Sequence, residues 1–336
     1  MYDKALTKKY KIFAVAPMMD WTDRHCRYFH RQLTAHALLY SEMVTADAII
    51  HGDRERLIGF SPNEHPIALQ LGGSEPQKCA LATKIGADFG YDEINLNVGC
   101  PSDRVQSGTF GACLMREPQL VGDCIKAMKD AVDCPVTVKC RIGVDEQDTK
   151  IALDDLADAV IGNGVDAIWV HARKAWLEGL SPKQNRDVPP LDYDRVYGLK
   201  QRLPDVFIGI NGGIQTLDEA TAHLEKVDGV MLGRAAYQDA SLLTKVDQMI
   251  YTQDGKPFDW QGLCDVMMHY CEQEMSKGIR LSAITRHMIG LFHGRAGARR
   301  YRQILSEEAR LETAKPDVIA RAFEAVAIES AVDEVA

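Results

Sequence analysis

The sequence predicts an α/β fold, a (β/α)8 TIM barrel followed by a small all-helical C-terminal domain. Three observations carry the prediction. Eight short apolar runs, each closed by Gly, Pro, Asn or a charged residue, alternate with segments of helical spacing. Past residue 240 the strand signal stops and only helical patterns remain. The turn after the first run, Ala16-Pro-Met-Met-Asp, lacks the glycines a dinucleotide-binding doubly wound sheet would place there.

The runs lie at 12–16, 37–40, 67–71, 93–97, 136–139, 167–171, 206–210 and 229–232. Between them, stretches such as Ile151-Ala-Leu-Asp-Asp-Leu-Ala-Asp-Ala-Val-Ile repeat apolar residues at i, i+3 and i+4, one face of a helix. Tyr251-Thr-Gln-Asp-Gly-Lys-Pro reads as a loop by its Asp-Gly and Pro. Helices are expected at 260–275, 281–292, 299–311 and 316–331, in a unit of 246–336 packed on a barrel of 1–245.

Composition narrows the class. The chain has 336 residues, 46% hydrophobic and 26% charged, enough for one large domain and a smaller one. The first residues carry charges without an apolar core, so no secretory signal is expected, nor is a membrane span. Nine cysteines without a CxxC pair point to reduced thiols and a cytoplasmic protein. No Cys/His grouping has metal spacing, so no metal is expected. With a net charge of −9, grip on a polyanion needs a local basic patch.

In a barrel, the C-terminal strand ends share one mouth. They gather Pro17, Met18, Met19, Ser41, Glu42, Gln70, the run Asn95 to Cys100, Lys139, His171, Asn211, Gly212, Gly213, Gly233 and Arg234. Buried Gln, Lys and His each need a partner, and a polar cofactor supplies one. Asn211-Gly-Gly and Gly233-Arg resemble a phosphate cradle, with exposed backbone N–H groups and a cation. A cation such as Lys139 stabilises a flavin ring that turns anionic on reduction, and the Gln70 amide matches the edge of a planar heterocycle. Together these point to FMN. Cys100 sits where Ile94-Asn-Leu-Asn-Val-Gly-Cys-Pro breaks from strand to turn, which suits a reacting group.

Ala16-Pro-Met-Met-Asp-Trp-Thr-Asp, Asn95-Leu-Asn-Val-Gly-Cys-Pro, Val138-Lys-Cys-Arg-Ile-Gly and Ile210-Asn-Gly-Gly-Ile resemble the tRNA-dihydrouridine synthase family. Trp21-Thr-Asp-Arg-His-Cys-Arg-Tyr-Phe resembles its A subfamily, although Cys26-Arg27 departs from the Phe-Arg of many members. The resemblance spans nearly the whole chain. It implies an FMN enzyme that uses NADPH to reduce uridine in the D-loop of tRNA, at positions 20 and 20a. It further implies FMN contacts at Pro17, Met18, Met19, Gln70, Lys139, His171, Asn211, Gly212, Gly213, Gly233 and Arg234. Cys100 is then the proton donor to uracil C5, with the hydride passing from flavin N5 to C6. An ordinary thiol, titrating near ~8.5, is protonated at neutral pH and can serve as an acid.

A base taken from folded RNA must be splayed into the mouth, with cations at the backbone. Between Glu274 and Glu307 there is no acidic residue, whereas Lys277, Arg280, Arg286, Arg295, Arg299, Arg300 and Arg302 lie there. Arg173, Lys174, Lys183 and Arg186 form a second basic group after the sixth run. The resemblance implies tRNA contacts at Asn97, Lys183, Arg186, Arg299 and Arg302; a monomer is expected. Two rivals share parts of this pattern: an FMN barrel of the dihydroorotate dehydrogenase or ene-reductase type acting on a free small molecule, and a catalytically silent RNA-binding barrel.

Overall fold

A computed structural model describes residues 1–101, 110–253 and 255–326. Within them, parallel strands close into one barrel in chain order. They are β1 (Ile12–Val15), β2 (Leu38–Thr45), β3 (Ile67–Gly72), β4 (Glu93–Val98), β5 (Val136–Arg141), β6 (Ala167–His171), β7 (Phe207–Asn211) and β8 (Gly229–Leu232), which returns to pair with β1.

Alternation along each strand sorts side chains by face. Ile94, Leu96 and Val98 of β4, and Val136, Val138 and Cys140 of β5, pack in the large outer core beneath the helices. The inward set is different. Ile12, Ala14, Leu38, Tyr40, Ala68, Ala167, Trp169, Phe207 and Met231 make a separate inner cluster, joined by Tyr2 and Ala5 of the helix Tyr2–Lys8. That helix closes the barrel floor, where the Tyr2 ring meets Phe207 edge-on at 4.6 Å. Toward the strands' C-terminal ends the interior turns polar, with Gln70, Asn95, Asn97, Thr137, Arg141 and Asn211 buried.

Two strands run further than their apolar patterns predict. β2 continues to Thr45 because its register against β3 shifts between Tyr40 and Met43. Ser41 and Glu42 therefore lie at a bulge within the strand and not at its tip. β5 continues past Lys139 to Arg141, which pairs with His171.

The helical region follows β8 and packs on the barrel. Its helices are Trp260–Ser276, Leu281–Thr285, Ala298–Glu307 and Asp317–Glu324. The helix expected over 281–292 ends at Thr285. Beyond it Gly290 runs against the barrel side, where a Cβ would lie 2.5 Å from the Gln238 carbonyl oxygen. Helix packing at that spacing leaves no room for a side chain. The helix expected over 299–311 is shorter by a separate turn at Glu308–Arg310, and positions 327–331 of the last expected helix lie outside the described residues.

Asp23 ties the two parts together. It caps the helix Arg24–Leu33 by accepting from the backbone N–H groups of His25 and Cys26. The same carboxylate receives His287 Nε2 at 3.0 Å and Arg286 Nη2 at 2.5 Å from the helical region. Tyr237, after β8, hydrogen-bonds His287 Nδ1 at 3.0 Å and stacks on Trp21 at 4.5 Å. Tyr28 and Tyr270 stack across the same junction at 3.7 Å. No helix of the described residues is long and apolar enough to cross a membrane.

Candidate active site

The turn after β4 is built by Asn97. Its side-chain oxygen accepts from the backbone N–H groups of Gly99 at 3.0 Å and Cys100 at 2.9 Å, which folds Gly-Cys-Pro back over the strand end. The Cys100 carbonyl in turn accepts from the Ala112 N–H at 2.9 Å. Cys100 is therefore held from both sides, and its side chain is partly exposed at the mouth.

Gln70 occupies the neighbouring position on β3 and is 1% exposed. Its Nε2 donates to Asn95 at 2.8 Å, and its Oε1 accepts from Asn97 Nδ2 at 2.8 Å. So the partner that a buried Gln requires is found first within the protein.

Lys139 and Arg141 point into the same mouth from β5. Lys139 Nζ donates to Asn211 Oδ1 at 3.0 Å. Burial, then the adjacent Arg141, lowers Lys139 to about 8. Arg141 is 3% exposed and, among the described residues, donates to carbonyl oxygens alone: Gly99 at 2.9 Å through Nε, and Lys174 and Asn185 at 2.9 Å each through Nη1. Burial lowers Arg141 to about 10, and its proximity to Cys100 opposes that shift. Among the described residues neither cation has a carboxylate partner within salt-bridge distance. Their mouth is an anion-seeking site.

His171 stands at the end of β6 with no hydrogen bond to its ring among the described residues. Burial, then the charges of Arg141, Lys139, Arg173 and Arg234, push it well below the usual imidazole range, so it is neutral at pH 7. Beside it, Gly212 and Gly213 have φ of 115° and 73°, angles that L side chains rarely adopt. A Cβ on Gly212 would come within 2.7 Å of His171 Cδ2. Across the mouth, Met18 is pinned by Thr22, whose Oγ1 accepts from the Met18 N–H at 2.9 Å, and a Cβ on Gly233 would lie 3.5 Å from Met18 Sδ. Pro17 and Met18 are half-buried, while Met19 is 54% exposed. Arg234 reaches Asp187 on the long loop after β6 at 2.8 Å, so this cation pairs within the protein.

That loop is folded by Asn185, fully buried, which accepts from the Trp176 N–H at 2.7 Å and donates to the Trp176 carbonyl at 2.8 Å. It displays Lys183 and Arg186 to solvent. Burial, then Arg234, lowers Arg186, and Cys100 also acts on it, which sets Arg186 near the mouth.

The basic stretch of the helical region divides by role. Lys277 pairs with Glu274 at 2.6 Å, Arg286 with Asp23, and Arg300 with Glu308 at 3.8 Å. Arg295 lies 5.0 Å from the Trp260 ring centre. Among the described residues Arg280, Arg299 and Arg302 have no hydrogen-bonded or ionic partner. Arg299 and Arg302 are three apart on the helix Ala298–Glu307, hence on one face.

Of the residues expected at the strand ends, Pro17, Met18, Met19, Gln70, Asn97, Cys100, Lys139, His171, Asn211, Gly212, Gly213, Gly233 and Arg234 lie at or beside the C-terminal ends of the strands, whereas Ser41 and Glu42 fall at the β2 bulge. The donor set fits a phosphorylated, planar cofactor such as FMN: a glycine turn beside a neutral His, buried cations without carboxylates, and an amide edge. Arg141 is absent from the expected set. Its signal lay in the alternation Thr137, Lys139, Arg141 on one face of β5, which reading the strand as ending at Lys139 cut short.

The family model described as dihydrouridine synthase (Dus) matches residues 14–327. A protein of Shewanella oneidensis named tRNA-dihydrouridine(20/20a) synthase is 53% identical over 316 residues, 94% of each chain. Proteins of the same name from Yersinia pestis and Escherichia coli K12 are each 55% identical, covering 93% and 94% of this chain and 90% and 91% of their own.

Proposed function

The chain belongs to the dihydrouridine synthase family, and from that membership we propose that it reduces uridine to 5,6-dihydrouridine in the D-loop of tRNA, at positions 20 and 20a. The observation that carries the reading is the convergence of Cys100 with two buried cations, Lys139 and Arg141, at one barrel mouth. The residues 1–245 form the catalytic barrel and 246–336 the tRNA-binding part, in a cytoplasmic monomer.

FMN, when bound, supplies a hydride from N5 to uracil C6 and is recharged by NADPH. The chain's residues do the rest. Pro17, Met18 and Met19 flank the ring. Gln70 holds its heteroatom edge, and Lys139 offsets negative charge there. His171, Asn211, Gly212, Gly213, Gly233 and Arg234 hold the phosphate, with Arg234 exchanging its Asp187 partner for the anion. Cys100 gives its proton to uracil C5, and the field of Lys139 and Arg141 stabilises the sulfur anion left behind. Asn97 meets the uracil. Lys183, Arg186, Arg299 and Arg302 grip phosphates on either side of the splayed base.

The test is Cys100→Ala with prereduced flavin and unmodified tRNA. FMN content should be unchanged, while oxidation of the flavin by tRNA slows by roughly 10²- to 10⁴-fold, the scale of a lost general acid. Oxidation at the wild-type rate removes Cys100 from the reaction. Free uridine in place of tRNA should not oxidise the flavin at a comparable rate, and mapping of dihydrouridine in tRNA from cells lacking the protein should show loss at 20 and 20a.

A further inference from the structure

Inside the barrel one unbroken line of hydrogen bonds runs from floor to mouth. Glu93, fully buried, accepts from Tyr2 at 2.6 Å, Tyr40 at 2.5 Å and Thr137 at 2.5 Å. Thr137 Oγ1 accepts from Asn95 Nδ2 at 2.7 Å. Asn95 Oδ1 accepts from Gln70 Nε2, Gln70 Oε1 accepts from Asn97 Nδ2, and Asn97 Oδ1 accepts from the N–H groups of Gly99 and Cys100. We infer that Thr137 and Asn95 are positioning residues, whose hydrogen bonds fix which way round the amides of Gln70 and Asn97 face the mouth.

The direction of the line is set independently at its two ends. At the floor, the Thr137 proton goes to the carboxyl group, so its oxygen is left to accept, and Asn95 must turn its nitrogen toward it. At the mouth, backbone N–H groups only donate, so Asn97 must turn its oxygen toward Cys100. Both constraints give the same order, and reversing any one amide would set two acceptors face to face on one side of it and two donors on the other. Such a mismatch in a fully buried network is costly, which makes the orientation single-valued.

The remaining valences follow by counting. Gln70 keeps one N–H and one lone pair for a ligand. Asn97 has its oxygen engaged twice and keeps one N–H. It therefore offers a donor, which suits a carbonyl oxygen of uracil and opposes an amino group. This inference rests on the proposed reading that flavin and uracil share the mouth.

The test uses the FMN-loaded enzyme and unmodified tRNA. Thr137→Val keeps the volume and deletes the hydroxyl, whereas Thr137→Ser keeps the hydroxyl. Thr137→Val should retain FMN, because the glycine turn, Asn211, Lys139 and Arg234 do not depend on the Thr137 hydroxyl. Its flavin oxidation at saturating tRNA should slow about tenfold with the half-saturating tRNA concentration unchanged, and Thr137→Ser should return to within about twofold. Thr83→Val, which deletes a buried hydroxyl with no partner among the described residues, is the control and should match wild type. A Thr137→Val enzyme as fast as wild type, or Val and Ser variants slowed alike, overturns the inference. If the Val variant does not fold, Thr137→Ala against Thr137→Ser, a pair differing by one hydroxyl, decides on the same terms. A wild-type flavin that tRNA does not oxidise instead sinks the proposed function itself.

Discussion

Replacing Glu93 with Gln should alter the pH dependence of stability in a calculable way. Burial raises the Glu93 carboxyl from 4.5 to about 7, against the lowering pull of its Thr137, Tyr2 and Tyr40 hydrogen bonds. A raised value means that the fold favours the protonated form. The contribution is complete below pH 4.5 and is lost as pH rises through about 7. Between pH 5 and pH 8 the loss comes to about 2.5 kcal/mol. The Gln variant lacks this titration but carries a constant defect. Its oxygen can take the place that receives Tyr40 and Thr137, leaving its NH2 against the Tyr2 hydroxyl, whose proton then has no acceptor. That costs about 1–3 kcal/mol at every pH. Relative to the variant, the wild type should lose about 2.5 kcal/mol of stability from pH 5 to pH 8. Urea midpoints of both proteins, measured from pH 5 to 8 at equal flavin loading, give the difference curve directly. A curve level to within about 0.5 kcal/mol would refute the reasoning, because a carboxyl ionised throughout contributes no slope. Catalysis should survive the change, since Thr137 still donates to the amide oxygen.

Other outcomes follow from the same geometry. Arg141→Lys keeps the charge but not the fork that spans three carbonyls, so tRNA-driven flavin oxidation should fall about 10- to 100-fold with FMN retained; unchanged stopped-flow rates would show that one contact suffices. If Arg280 joins Lys183, Arg186, Arg299 and Arg302 on phosphates, log affinity for tRNA against log salt should have a slope of about −3.5 to −4.5, and a flat titration would exclude this surface as the grip. Asp23→Ala removes a helix cap and the carboxylate that His287 Nε2 and Arg286 Nη2 share, a loss of roughly 2–4 kcal/mol by urea unfolding. For Asp23, burial is outweighed by the His287 and Cys26 hydrogen bonds, so its carboxyl lies well below the usual range. Its stabilisation is present above pH 3.8 and fades as pH falls further, so wild type and variant should converge in strong acid.

The outer half of the barrel was legible in the sequence because apolar residues at alternate positions face the helices, as Ile94, Leu96 and Val98 do. The inner half was legible only at its upper edge. Reading Gln70, Lys139 and His171 as tips that each need a partner led to the C-terminal mouth of the barrel. It missed that Asn95, Gln70 and Asn97 already satisfy one another, since partners on β3, β4 and β5 are close in space and distant in sequence. Glu93 passed unnoticed for the same reason: its three donors come from the first helix, β2 and β5. β2 was ended early by the polar Ser41-Glu42, where a bulge lets the strand continue. In the basic stretch, charge counting could not separate Arg286, which faces Asp23, from Arg299 and Arg302, which have no partner among the described residues, because the apolar pattern there gives no hint of an acceptor distant in sequence.

The Asp23 junction also bears on the order in which the molecule assembles. Asp23 and His287 are 264 positions apart, one of the longest spans in the chain. A ribosome delivers every strand of the barrel well before it delivers residue 287. Until then Asp23 has only its own helix cap, and Tyr237 lacks its His287 acceptor. The segment from Met18 to Asp23 is thus among the last parts of the nascent protein to become rigid. Synthesis halted just after β8 would release a closed cylinder with one wall of its opening still loose.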